Sequence, residues 1–125
     1  MSSIGRIVPR RVAQVSVERR AAPRIGVVME ARVRLPELDV AFCGTILDVS
    51  EGGAFVATAE LLPLGAAVEL EVSPPRLLVP LLARGVVVRQ RVDATQPGLG
   101  LRFTWLSAEA RALLARLGER SRRAG

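Results

Sequence analysis

A succession of short alternating segments, each closed by glycine or proline, constrains this chain more than any other feature. Met29, Ala31, Val33 and Leu35 alternate with Glu30, Arg32 and Arg34 until Pro36 stops the run. Val68, Leu70 and Val72 alternate with Glu69 and Glu71 and end at Ser73-Pro74-Pro75. A period of two puts apolar side chains on one side of an extended chain and charged ones on the other, as a half-buried strand requires. Between these segments lie a β-rich run over 41–49, the polar turn Ser50-Glu51-Gly52-Gly53, a short strand over 54–58 and a turn at Pro63-Leu64-Gly65. Residues 77–92 are largely apolar but broken by Pro80 and Gly85, which predicts a short edge piece followed by a strand over 83–92. Arg84, Arg89 and Arg91 are its polar positions. After a loop over 93–98, residues 99–103 form the last strand. Roughly six short strands separated by turn signals predict a mainly β domain, a small barrel or sandwich.

The end of the chain has a different period. Ser107 is a suitable N-cap, and Glu109 lies near the positive end of the helix dipole. Ala110, Leu113, Leu114 and Leu117 fall on one helical face, away from Arg111, Arg116 and Arg120. This spacing predicts a C-terminal amphipathic helix packed on the strands. Gly118 weakens its last turn, so residues 119–125 are expected to fray as a basic tail. At the other end, Pro9 breaks an already aperiodic stretch, and residues 1–18 are expected to form a flexible basic arm. The domain is thus bounded at about 19–118 in a chain of 125 residues, a length that suits one core.

Composition limits the chemistry. All 18 basic residues are arginine, and histidine and tyrosine are absent. Without histidine the commonest neutral-pH base and zinc ligand are missing. Without lysine neither a Schiff base nor a GxxxxGK[ST] phosphate loop can form. Cys43 is the one cysteine, too few for an internal disulfide or a cysteine metal site. We expect no catalytic residues, no metal and no cofactor, and therefore a non-enzyme. No apolar run approaches the ~18 residues of a membrane span, and the start carries no uninterrupted apolar signal core. A cytoplasmic protein without membrane insertion is expected.

The net charge of +6 is unevenly spread. Residues 1–24 hold six arginines against Glu18, residues 25–110 hold seven against ten acids, and residues 111–125 hold five against Glu119. A mildly acidic body therefore sits between two basic ends. The N-terminal surplus either meets an anion or is solvated.

Two clusters carry chemistry. Arg19, Arg20 and Arg24 supply planar guanidinium forks on a loop beside Pro23; such forks match phosphate oxygens and the O6/N7 edge of guanine. Asp48, Ser50, Gly52 and Gly53 supply a carboxylate, a hydroxyl and backbone amides at a turn. The carboxylate suits the N1–H and N2–H₂ donors on guanine's other edge, and the hydroxyl and amides suit a phosphate nest. Each cluster also has a plainer reading: solvated linker arginines for the first, an Asx-type turn for the second. Gly98 and Gly100 are taken as turn and packing glycines, while Arg102 faces either a ligand cleft or a surface carboxylate. Cys43 is expected to be a small buried hydrophobe and Trp105 an anchor between the last strand and the helix.

RRxxxR at Arg19, Arg20 and Arg24, then DxSxxG at Asp48, Ser50 and Gly53, then Gly98-Leu99-Gly100-Leu101-Arg102-Phe103 before a helix, together resemble the PilZ domain over residues 18–118. The resemblance implies a six-stranded antiparallel β-barrel with a C-terminal α-helix and binding of cyclic di-GMP, a bacterial second messenger. It assigns Arg20 and Arg24 to guanine and phosphate, and Asp48 to reading a guanine. It also associates Arg19 with holding a stacked pair of ligands. It further implies that the arm folds over the ligand and changes a surface for an unidentified protein effector. Two rival expectations remain: a PilZ-like adaptor that signals by protein contact without nucleotide, and a single-stranded nucleic-acid binder. The latter is disfavoured by three phenylalanines, one tryptophan and an acidic body, which leave few stacking platforms.

Overall fold

A computed structural model of the chain describes residues 24–124. The strands are β1 (Ile25–Leu35), β2 (Val40–Val49), β3 (Gly53–Ala57), β4 (Ala67–Ser73), β5 (Leu81–Arg91) and β6 (Gly98–Leu106), followed by α1 (Ala108–Ala124). They close into one barrel in the order β1-β2-β3-β6-β5-β4, and every neighbouring pair is antiparallel. Closure leaves none of the described strands at an open sheet edge.

Alternation decides which side chains go inside. On β1, Met29, Ala31, Val33 and Leu35 are buried while the charged residues between them are exposed. Val33 sits level with Phe42 on one side and Leu70 on the other, so one inward position joins three strands. Each Val or Leu buried in this way contributes about 1.5–3 kcal/mol. The outer ion pair from Arg34 Nη1 to Glu69 Oε1, at 2.7 Å, joins two half-exposed groups. Such a pair contributes about 0–1 kcal/mol, so the inner stripe sets the register.

The helix closes one end of the barrel. The Ala110 amide donates to Ser107 Oγ at 3.2 Å, and the Arg111 amide donates to the Ser107 carbonyl at 2.9 Å, which makes Ser107 the N-cap. Ala110 and Leu114 are buried against the barrel mouth beside Met29, Ile46, Val49 and Leu81. The helix runs past Gly118 to Ala124, further than the frayed tail expected from residue 119. Glu119, Arg120 and Arg122 are good helix formers and no proline follows, so nothing forces an earlier end. No helix among the described residues is long and apolar enough to cross a membrane.

Three expectations are corrected. Residues 77–80 form no strand: β5 begins at Leu81, and Leu78 is fully exposed in a turn bounded by Pro74-Pro75 and Pro80. Proline at both ends removes ladder donors. Cys43 is exposed, because Phe42 and Ile46 take the inward positions of β2 and Cys43 pairs with the outward Arg32. Trp105 is 42% exposed rather than an anchor under the helix. A register shift between Arg84 and Gly85 skips Thr104, so Phe103 and Leu106 turn inward and Trp105 turns out. The Arg84 guanidinium then lies 5.0 Å from the Trp105 ring centroid.

Truncation of Leu114 tests the helix as a barrel plug. Leu114→Ala is expected to cost about 2–5 kcal/mol in urea unfolding, with an unchanged m value. A loss under about 0.5 kcal/mol, the size of an ordinary surface change, would show that the helix contributes little.

Candidate functional site

A bulge creates the centre of the site. On β2, Ile46 and Val49 both point into the core, which strict alternation forbids for residues three apart. Ile46 is level with Val56 and Asp48 with Phe55, so Leu47 is an extra residue in the β2–β3 ladder. The extra residue turns the Asp48 carboxylate onto the outer wall. Without it the carboxylate would be driven towards the core, at heavy desolvation cost.

Arg24 meets that carboxylate where the chain enters β1. Gly26 pairs with Asp48, which brings the preceding residues alongside it. Arg24 Nε donates to Asp48 Oδ1 at 2.7 Å, and Nη2 of the same guanidinium reaches the same oxygen. Side-chain exposures of 44% and 33% leave the pair accessible to a ligand. Arg24 retains further N–H donors. Among the described residues Asp48 Oδ2 has no partner.

The following turn is built from its own atoms. Ser50 is the one buried polar side chain among the described residues. Its amide donates to the Gly53 carbonyl at 2.8 Å, and its Oγ accepts from the Gly52 amide at 3.2 Å. The Gly52 amide is thus engaged within the turn, not turned to an incoming anion. The Ser50 hydroxyl proton is still available to donate. The turn is fastened to β6 by the Phe103 amide, which donates to the Gly52 carbonyl at 2.8 Å. At Gly53 the backbones approach so closely that a Cβ would run into the Leu101 carbonyl.

The structure therefore brings together Arg24, Asp48, Ser50, Gly52 and Gly53 of the expected site; Arg19 and Arg20 lie outside the described residues. Sequence reasoning missed Phe55, which lies level with Asp48 but is itself buried, at 3% exposure. Its ring is covered by the Arg91 guanidinium, 4.8 Å from the centroid. Only the register places it there. The loop beyond Arg91 is tied down by Thr95, whose hydroxyl and amide donate to Asp93 Oδ1 at 2.6 and 2.7 Å. Those two bonds, in that order, hold the exposed Asp93 carboxyl below the usual carboxylate range. Arg102 faces outward on β6, level with Gly53.

Replacement of Gly53 tests this geometry. Gly53→Ala is expected to lower the thermal midpoint by several degrees, because β3 must move away from β6. An unchanged midpoint would contradict the close approach.

Comparison with known proteins agrees with this architecture. Inhibitor of motility (MotI/DgrA) of Bacillus subtilis superposes with a TM-score of 0.68 at 20% identity, over 84% of this chain and 52% of that one. The PilZ domain with c-di-GMP of YcgR from Escherichia coli gives 0.61 at 21% identity, over 85% and 95%. The MrkH–c-di-GMP complex of K. pneumonia gives 0.65 at 17% identity, over 86% and 56%. The chain thus spans about half the length of MotI and MrkH. No protein with a curated description matches it. The family model for the PilZ domain matches residues 18–119, nearly the whole of the chain, which therefore belongs to the PilZ domain family.

Proposed function

We propose that the chain is a receptor for cyclic di-GMP, not an enzyme, and that the ligand seats on the outer wall at Arg24, Asp48 and Ser50. One observation carries the reading. A guanidinium, a carboxylate and a hydroxyl converge beside one fastened turn, and among the described residues one carboxylate oxygen and the hydroxyl proton have no partner. This set supplies a donor fork for phosphate or the guanine O6/N7 edge, an acceptor for guanine N1–H and N2–H₂, and a donor for a second phosphate oxygen. The YcgR PilZ domain and MrkH, whose structures hold c-di-GMP, share the fold and support the choice of ligand.

In this reading the dianionic ligand draws Arg19 and Arg20 against the barrel beside Arg24. Arg20 completes the clamp, and Arg19 favours a stacked pair of ligands. The rearranged segment changes a surface that a protein effector reads, in the cytoplasm.

Titration calorimetry with cyclic di-GMP tests the proposal. The wild type is expected to bind, and Asp48→Ala and Arg24→Ala are each expected to weaken binding by about tenfold or more, the cost of one charged hydrogen bond. A stoichiometry of two ligands per chain is expected from Arg19. Absence of wild-type binding would favour the adaptor that works without nucleotide. Binding that survives both substitutions would place the site elsewhere. Hydrogen exchange should show that residues 19–24 gain protection when ligand is added; no gain would remove the arm from the mechanism.

A further inference from the structure

The outer wall that begins at Asp48 continues across the barrel. Asp48 is level with Phe55, Phe55 with Gly100, and Gly100 with Arg89, so a single row crosses β2, β3, β6 and β5. Strands about 4.8 Å apart put roughly 14 Å between its two ends. The far end is made in the same way as the near end. Val87 pairs with Leu101 and Arg89 with Gly100, so Val88 is an extra residue that turns Arg89 outward, as Leu47 turns Asp48. Bulges thus place a carboxylate and a guanidinium at opposite ends of one row.

Between them lie Phe55, whose ring is buried under Arg91, and Gly100. Gly100 has no side chain, and a Cβ there would lie 3.2 Å from Arg89 Cβ and 3.5 Å from its Nε. The Arg89 side chain therefore passes over Gly100. Gly98 has a packing reason to be glycine, since the Phe55 ring lies where its Cβ would be. Gly100 has no such aromatic neighbour; its neighbour is Arg89. Arg102, two residues further along β6, is the diagonal neighbour of Arg89 on the same face. Among the described residues neither Arg89 nor Arg102 has an acidic or hydrogen-bonding partner, whereas Arg91 is spent on Phe55. Two unpaired like charges at diagonal spacing repel each other, and an anion between them relieves the repulsion.

We propose that Arg89, with Arg102 beside it, is a specificity-determining pair that holds the half of the dinucleotide remote from Asp48. The guanidinium of Arg89 donates to the distal phosphate or to the O6/N7 edge of the distal guanine, and Gly100 leaves the Arg89 side chain room to lie along the wall. This rests on the receptor reading above.

The test is calorimetry with cyclic di-GMP on the full chain, comparing Arg89→Gln, Arg89→Lys and Arg102→Gln with Arg84→Gln as control. Arg84→Gln removes the same charge from the same strand but on the other side of the bulge, beside Trp105. Arg89→Gln is expected to weaken binding by about tenfold or more, with an unchanged urea midpoint without ligand. Arg102→Gln is expected to weaken it less, and Arg84→Gln to stay within about twofold, the scale of screened long-range charge. Retention of affinity by Arg89→Lys assigns the contact to phosphate; its loss assigns it to the guanine edge, which needs the planar fork. Wild-type affinity in Arg89→Gln, while Arg24→Ala loses binding, overturns this inference and leaves the receptor reading standing. Equal losses in Arg84→Gln and Arg89→Gln overturn it in favour of bulk charge, and a wild type that does not bind overturns both readings.

Discussion

Val33, Ile46, Val56, Val68, Val87 and Leu99, one from each strand, meet inside the barrel with at most 2% exposure. Their burial fixes the inward parity of all the strands, and every outward position follows from it. A slip of one residue would bring charged side chains of β1 or β4 inside, at a cost no surface ion pair offsets. The outer wall is therefore a consequence of the core. Bulges are the only places where parity changes, and two of them aim Asp48 and Arg89.

This constraint explains how a mildly acidic body can gather arginines on one wall. Asp48 is neutralised by Arg24, while Arg89 and Arg102 sit beyond it on the same wall. The acids of β4 lie elsewhere on the barrel, where Glu69 pairs with Arg34. Net charge is a poor guide here; the register sorts the charges into faces. The turn at Ser50–Gly53 is fastened for a related reason, since the Ser50 and Gly52 amides bond within the turn and the Gly52 carbonyl accepts from β6.

Much of the architecture was legible in the sequence. The alternation over 29–35 and 68–72, the glycine turn after Asp48 and the spacing of Ala110, Leu113, Leu114 and Leu117 each match what the fold does locally. The proximity of Arg24 to Asp48, 24 positions apart, rested on a family resemblance, because no local rule joins them. What stayed hidden depends on bulges. The alternation alone does not settle the sides of Trp105 and Cys43, because a period of two cannot be carried along a strand without knowing its inward residues and the ladder's skips. The same ignorance hid the row from Asp48 through Phe55 and Gly100 to Arg89, whose members are far apart in sequence and adjacent only through register.

Backbone amide mapping by NMR during titration with cyclic di-GMP tests the central claim most directly. The amides of Asp48, Ser50, Gly53, Phe55 and Gly100 are expected to shift in a saturable way, while those of α1 stay still. Absence of shifts, or shifts confined to α1 and the Leu77–Pro80 turn, would contradict it.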